Sequence, residues 1–288
     1  MQLQGGRHWT GSLVAVLGLL LSGCDTATFT SDFATEAPAD SDVTGVQVNL
    51  LGLEFRTADG TTTSLEFSTP EQVDLLDLRN GDPLRLFTDE ELPVGQYVGV
   101  RLLLDEDQDD SVVSTSEREF PLLLAEGAFA TVDFAVVEEE RSREALTLML
   151  DLRPSLVFDD ADDEYTLTPQ LRAIRTEDAA RIEGSVTVTC PAGTALSTGG
   201  AVYLFSGNDA EVDDLDGIGA EPVATTRVVA SDVGGFRYAL RFLPAGDYTL
   251  ALTCRGDEDL LGVDDDLRFS NVADVSVDDA EVLQRNLQ

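Results

Sequence analysis

The sequence predicts an all-β protein in which an N-terminal leader and a flexible acidic tether precede two Greek-key-type β-sandwich domains. Apolar residues recur mostly with period two, in short runs separated by Gly, Pro, Asn and Asp. This alternation is typical of half-buried strands. No stretch of a dozen residues has convincing helical spacing. The short strands also come at regular intervals, which favours sandwiches over other β architectures.

The leader covers residues 1–23. A compact apolar block over residues 13–21 follows a segment that carries Arg7 and no acid. The block is too short to remain in a bilayer as a spanning helix, and this layout is that of a signal peptide. We therefore expect the leader to be removed on export. Export would place the mature chain in an oxidising compartment.

The leader ends in Leu21-Ser22-Gly23-Cys24, which resembles the bacterial lipobox. In a lipobox the cysteine is acylated, with palmitate among the usual chains, and becomes the first mature residue. The resemblance implies that Cys24 is the lipidation site and anchors the protein to a bacterial membrane. It leaves open the inner or outer membrane, and a periplasmic or surface-exposed position. An ordinary cleaved leader followed by a free cysteine is the alternative.

Composition divides the mature chain into three parts. Residues 24–42 are rich in Thr, Ala, Ser, Asp and Glu, which predicts a flexible tether after the lipidated cysteine. Beyond the tether, residues 43–180 and 181–288 are each of ordinary domain size. Each piece contains the alternating runs described above, so each is expected to form one β-sandwich.

The charge and the missing residue types exclude several functions. The chain has 55 acids against 18 basic residues, all of them arginine, and a net charge of −37. This surface repels nucleic acid and anionic lipid headgroups. The only histidine and the only tryptophan, His8 and Trp9, lie in the leader. Histidine-based catalytic sets and histidine metal sites are therefore excluded, and we expect no enzyme activity and no cofactor.

The two remaining cysteines are predicted to form a disulfide. Cys190 shares a strand face with Val186 and Val188, and Cys254 shares one with Leu250 and Leu252. Both thiols should therefore point into one core. A bridge across this loop would stabilise the fold by about 4 kcal/mol. Two buried thiols are the alternative.

The two pieces also share a turn motif. The sequence Leu92-Pro93-Val94-Gly95-Gln96-Tyr97 is repeated in form by residues 243–248, Leu-Pro-Ala-Gly-Asp-Tyr. In each copy proline fixes the turn and tyrosine enters the next alternating strand. The motif predicts tyrosine corners, in which the hydroxyl bonds back to the turn backbone.

Longer motifs resemble two known families. The stretches 73–78, 92–102, 150–157 and 165–172, in this order, resemble the family of domain of unknown function 4382 (DUF4382), bacterial lipoproteins without an established activity. Residues 184–186, 235–240 and 243–250 resemble the carboxypeptidase-regulatory-like, or transthyretin-like, sandwich. Such modules serve in structure or in binding sugars and proteins. The sugar-binding form needs an exposed aromatic platform, which only Tyr203 or Tyr238 could supply here.

Acidic clusters are the remaining candidates for a site. Alternate carboxylates at Asp105, Asp107 and Asp109 are typical of the start of a calcium loop, although its glycine and final glutamate are missing. A second loose cluster contains Asp209, Glu211, Asp213, Asp214 and Asp216, of which Asp209, Asp213 and Asp216 are the candidate ligands. Solvated polar loops are the default interpretation of both clusters and of the further acidic runs at 159–164 and 264–266. Ca²⁺ binding at the first two clusters is the competing hypothesis.

Together these features predict a lipid-anchored protein of the cell envelope that is a non-enzymatic binding or structural module. Its partners would be the membrane, through the N-terminal lipid, and a protein or glycan ligand in the envelope, with no nucleic acid. A carbohydrate- or Ca²⁺-binding surface protein is the alternative. A subunit that exchanges an edge strand in a surface assembly is a third hypothesis.

Overall fold

The computed structural model describes residues 28–80, 82–105, 111–137 and 143–288. Within these ranges most of the chain is β-strand, which confirms the predicted all-β class. The helical elements there are one α-helical turn, Leu196–Gly199, and two 3-10 turns, Leu75–Asn80 and Thr176–Asp178. No described helix is long and apolar enough to cross a membrane.

The first sandwich is built from the strands that precede residue 176. In chain order these are β1 (Thr28–Glu36), β2 (Val43–Thr57), β3 (Thr62–Asp74), β4 (Leu84–Glu91), β5 (Gly95–Leu104), β6 (Val112–Thr115), β7 (Glu119–Leu124), β8 (Ala130–Val136), β9 (Arg143–Asp151), β10 (Leu156–Asp159), β11 (Glu164–Leu167) and β12 (Leu171–Arg175).

These strands form two layers around one core. The smaller sheet has the order β12-β9-β1-β4, and the larger runs β10-β11-β7-β6-β2-β5-β8 with β3 paired to β2. Phe29 of the smaller sheet meets Phe55 and Phe134 of the larger one, with ring centroids 5.0 and 6.2 Å apart. Contacts between such large buried rings join the two layers.

The prediction of a flexible tether over residues 24–42 is wrong for most of the described part of this segment. Instead of a flexible segment, Thr28–Glu36 forms β1, which lies between β4 and β9 and runs parallel to β9. Phe29 and Phe33 are buried in the core. The polar composition is typical of a flexible segment, but β1 buries small polar side chains. Its Asp32 is paired with Arg85 at 2.5 Å. Residues 24–27, including Cys24, lie outside the described residues.

The second sandwich is built from the strands that follow residue 179. These are β13 (Ala180–Val186), β14 (Ala201–Ser206), β15 (Ala224–Arg227), β16 (Val229–Ala230), β17 (Phe236–Leu243), β18 (Gly246–Thr253), β19 (Phe269–Val277) and β20 (Val282–Gln284).

They form two four-stranded sheets, β16-β17-β13-β20 and β15-β14-β18-β19. Strand β14 is buried on both faces. Val202 and Leu204 face the core between the sheets, whereas Tyr203 and Phe205 belong to a smaller apolar cluster on the opposite face. Two long loops cover this apolar cluster on the outer face of the sheet.

Two side-chain predictions are confirmed. Cys190 and Cys254 form a disulfide, and both pack against the core of the second sandwich. Each tyrosine corner is present, since the Tyr97 hydroxyl donates to the Pro93 carbonyl at 2.7 Å and the Tyr248 hydroxyl donates to the Pro244 carbonyl at 2.8 Å. The expected strand through Cys190 is not present, because β13 ends at Val186 and Cys190 lies four residues beyond it, while Cys254 directly follows β18. The predicted pairing of the two cysteines holds all the same.

Polar side chains buried between the sandwiches connect them. The carboxylate of Asp151, at the end of β9, accepts hydrogen bonds from the backbone N–H and the hydroxyl of Thr225 in β15, at 3.0 and 2.9 Å. The hydroxyl of Thr226 donates to Glu36 at 3.0 Å. Buried charges need such partners, so this interface fixes the contact between the two domains.

Candidate metal centre

Two loops fold over the outer face of the β15-β14-β18-β19 sheet. Residues 207–223 connect β14 to β15, and residues 254–268 connect β18 to β19. Ala210, Val212 and Ala220 of the first loop pack on the apolar cluster that contains Tyr203 and Phe205. The N–H of Gly262 in the second loop donates to the Leu215 carbonyl in the first at 2.8 Å. The acidic residues of both loops are thereby brought together.

The carboxylates of the two loops converge on Asp214. One ligand oxygen each from Asp214, Asp259 and Asp265 lie within 4.8 Å of one another, and a second such group joins Asp214 to Asp216 and Asp264. Two oxygens bound to one Ca²⁺ at about 2.4 Å can be at most about 4.8 Å apart. Both groups therefore meet the distance condition for a shared cation, and carboxylate oxygens are the ligands that Ca²⁺ prefers.

Asp214 is only partly compensated by the protein around it. Its side chain is only 2% exposed. Its Oδ2 accepts a hydrogen bond from the Asp265 N–H, whereas its Oδ1 is buried without a hydrogen-bond partner among the described residues. Burial, together with the carboxylates of Asp213 and Asp259, raises the pKa of Asp214 to about 6. A buried acceptor without a donor is costly, and a cation would remove that cost.

Asp259 is held in place by both domains. Its Oδ1 accepts from the Leu215 N–H at 3.2 Å, and its Oδ2 accepts from the Tyr203 hydroxyl. Arg153 of the first sandwich reaches the same Oδ2 at 3.7 Å, donates to the Gly256 carbonyl and lies over the Tyr203 ring. Burial raises the pKa of Tyr203 well above its usual value, so its hydroxyl remains a donor.

Further acids face the same region. Burial, followed by the charges of Asp216 and Asp213, raises the pKa of Glu221 above its usual value. Its carboxylate accepts from the Gly217 N–H at 2.7 Å. The Asp265 carboxylate accepts from the Leu260 N–H at 2.7 Å, which orders the second loop beneath the group.

The structure brings together only part of the sequence-predicted calcium set. Asp216 belongs to one of the two groups, and Asp213 adds its charge to Asp214. Asp209 belongs to neither group and donates its N–H to Asp274 at 2.9 Å. Asp105 also belongs to neither group. Asp107 and Asp109 lie outside the described residues.

Sequence reasoning missed Asp259 and Asp265. Asp265 lies in an acidic run whose composition is typical of a solvated loop, and no local pattern distinguishes Asp259. Both are more than 40 residues from Asp214 in the chain, and only the folding of two loops over one sheet face joins them. Asp214 itself lay inside the second predicted cluster, but its burial was not predictable.

Neither tyrosine suggested as a sugar platform is available at the surface. Tyr203 is fully buried and Tyr238 is 1% exposed, with its hydroxyl donating to the Arg285 carbonyl at 2.7 Å. Each ring lies in an apolar cluster and cannot stack on a sugar. Alternation predicted the strands but could not predict that β14 is covered on its outer face.

The fold and this cluster define the chain as a two-domain β-sandwich protein with a candidate cation site in the second domain. Residues 27–169 match the family model of the Domain of unknown function (DUF4382). The chain therefore carries a DUF4382 domain, as its motifs indicated. The matched range begins one residue before β1, which places that strand inside the domain.

Comparison with other known proteins gives only distant similarity. No curated protein matches the chain. Among solved structures, a candidate adhesin from Bacteroides ovatus has 13% identity over 81% of this chain and 74% of its own, with a TM-score of 0.20. A candidate polysaccharide-binding protein from Bacteroides thetaiotaomicron has 13% identity over 79% and 76%, with a TM-score of 0.19. Similarity at this level identifies neither a shared topology nor a shared ligand.

Proposed function

We propose that the protein is a lipid-anchored, non-enzymatic binding or structural module of the bacterial cell envelope. The lipobox-like sequence that ends at Cys24 supports the anchor. The role as a non-enzymatic binding or structural module is supported by the polar interface between the sandwiches. Its buried groups, such as Asp151 and Arg153, bind the other domain instead of lining an open catalytic pocket. Such an interface would hold the two domains together as one rigid body.

The proposed anchor would hold this body close to the membrane. Strand β1 begins at Thr28, four residues after Cys24 in the sequence. Four extended residues span at most about 14 Å. The first sandwich would therefore lie close to the bilayer surface. Two four-stranded sheets and the turn at 243–248 support a transthyretin-like second module.

Metabolic labelling with an alkyne palmitate tests the anchor. The wild-type protein should incorporate the label and sediment with membranes, and Cys24→Ser should lose both properties. Ser12→Ala, a change within the leader that leaves the lipobox intact, is the control and should behave as wild type. Label in the Cys24→Ser variant, or an unlabelled wild-type protein, would contradict the proposal.

A second candidate function is calcium binding at the Asp214, Asp259 and Asp265 group. The observation that favours it is the buried Oδ1 of Asp214, which lacks a donor among the described residues. A bound Ca²⁺ would connect the loops 207–223 and 254–268 over the sheet. Its role would be structural, because the group is covered by both loops and Asp259 is also bound by Arg153 of the first domain.

The stability of Asp214→Asn with and without calcium tests this candidate. In EGTA the variant should melt at or above the wild-type temperature, because the change removes a buried negative charge beside other carboxylates. In CaCl₂ the order should reverse, with the wild type stabilised by several degrees. Asp232→Asn, at an exposed position, is the matched control and should respond to calcium as wild type. An equal calcium response in Asp214→Asn and wild type would overturn the site, and so would no response in either.

A further inference from the structure

A cleft of about 770 Å³ opens where the two sandwiches meet, away from the acidic loops described above. One wall comes from the first sandwich, mainly the end of β1, the segment that follows it and the turn that contains Arg79. The other wall comes from the α-helical turn and from strands β15, β16 and β17 of the second sandwich. Cavities of this size hold a small ligand with most of its surface covered.

The charge of this cleft is opposite to that of the whole protein. Four arginines line it, namely Arg79, Arg227, Arg237 and Arg241. The chain has only 18 basic residues against 55 acids, so this is a strong local concentration. Glu36 is the one acid among the described residues that line the cleft.

The arginines are only partly compensated by the protein. Arg79 and Arg237 form no ion pair with any described residue. Arg227 donates to the Thr198 carbonyl at 2.9 Å. Burial, and then the nearby charge of Arg153, lowers the pKa of Arg227. Asp257 opposes this shift, Arg79 adds to it, and Asp40 opposes it least. A half-buried arginine beside other arginines favours an anion as its partner.

Glu36 does not neutralise the cleft near pH 7. Its carboxylate is 3.8 Å from Arg241, too far for a hydrogen bond. Burial, and then the charge of Asp151, raises the pKa of Glu36 to about 8. The carboxyl is therefore mostly protonated at neutral pH, and the four guanidinium groups remain the dominant charges.

The rest of the lining suits the body of an organic acid. Leu76, Val228 and the half-buried Phe236 supply apolar surface. Ser41 and Ser197 add hydroxyl-bearing residues to the lining, whereas the hydroxyl of Thr44, which also lines the cleft, donates to the Ser114 carbonyl at 3.2 Å. A long polyanion is disfavoured because the parts outside the cleft would meet the negative surface of the chain.

We propose that the cleft between the sandwiches binds a small organic ligand with one or two carboxylates, which Arg79, Arg227 and Arg237 hold by charge-assisted hydrogen bonds. The planar guanidinium group can bind a carboxylate through two parallel hydrogen bonds. The apolar and hydroxyl groups of the walls then contact the uncharged part of the ligand. The proposal is independent of the lipid anchor and of calcium.

Calorimetric titration with matched pairs of probes tests this site. Adipate and galacturonate are each compared with a neutral partner, adipamide and galactose respectively. At least one acid should bind about tenfold more tightly than its neutral partner, since one charge-assisted hydrogen bond accounts for a factor of about ten or more. Equal binding within both pairs, or no binding of either acid, would overturn the proposal.

Variants then locate the site. The double variant Arg79→Gln with Arg237→Gln should weaken binding of the acid at least tenfold. The control, Arg268→Gln with Arg285→Gln, removes two exposed arginines outside the cleft and so changes the net charge equally. It should leave the affinity unchanged. An equal loss in both double variants would show that only the overall charge matters and would contradict the assignment to the cleft.

Discussion

Single residues at the domain interface carry unusual charge states. Glu36 is 4% exposed and lies near the carboxylate of Asp151 and the arginines Arg172 and Arg241. Burial also lowers the pKa of Arg172, which donates to the Val223 carbonyl at 3.0 Å. Removing charges from water is costly, so this interface stabilises the protein only where hydrogen bonds and opposite charges offset the cost. For Glu36, hydrogen bonds and opposite charges do not offset this cost.

The first prediction concerns Glu36→Gln and pH. The pKa of Glu36 is about 8 in the folded protein and about 4.5 when unfolded, so the folded state holds the proton more tightly. Stability from this group is complete below pH 4.5 and is lost as the pH rises towards 8. Relative to wild type, Glu36→Gln should therefore gain about 3 kcal/mol between pH 5 and pH 8.

Urea unfolding at pH 5, 6.5 and 8 measures this difference. Glu71→Gln, at an exposed position, is the control and should follow the wild-type pH dependence. If Glu36→Gln and wild type lose stability in parallel over this range, Glu36 is ionised in the folded protein and the cleft beside it is less positive than inferred.

Contacts of single residues were predictable where they depend on strand phase. Tyr97 and Tyr248 follow this rule, since a turn motif and the strand that follows it fix the direction of each side chain. Cys190 and Cys254 pair as predicted although both lie beyond the ends of β13 and β18. The acidic group around Asp214 does not follow the rule, because its members come from separate loops whose path depends on the apolar cluster beneath them. Acidic composition predicted that some cluster of acids could bind a cation, but it could not select the members.

At the scale of elements, β1 is the largest departure from expectation. Its register with β9 is parallel and joins residues more than 110 positions apart in the chain, such as Phe33 and Leu148. Local composition contains no signal of a partner at that distance. The strand is short of large apolar residues, yet it is central in its sheet and contributes Phe29 and Phe33 to the core. The alternating runs of β2, β5 and β9 contained a local signal and were predictable.

The second prediction follows from this position of β1. Phe33 is fully buried, so Phe33→Ala should lower the free energy of unfolding by about 3 to 4 kcal/mol, whereas a change in a flexible tether would have almost no effect. Phe158→Ala, at a ring that is 37% exposed, is the matched control and should cost less. Chemical unfolding measures both variants. Equally small losses in both variants would indicate that residues 28–36 behave as a flexible tether and not as a core strand.

At the scale of the whole molecule, acidic and basic residues are concentrated in different places. Acids crowd the loops over the outer sheet of the second domain, and arginines collect in the cleft between domains. A net charge of −37 disfavours nucleic acid as a partner for the surface. It does not exclude a small anion inside the cleft, because low-dielectric walls let local arginines dominate there. Only the folded arrangement distinguishes these two cases.

The last prediction concerns the response of this charge to salt. Repulsion among exposed carboxylates opposes the compact state, and salt screens it with a Debye length that falls to about 3 Å at 1 M. The melting temperature in EGTA should therefore rise by about 5 °C or more from 0.1 to 2 M NaCl. The same titration at pH 5 should give a smaller rise, because partial protonation of the carboxylates removes part of the repulsion. A flat or falling curve at neutral pH would mean that the buried interface and core outweigh surface repulsion.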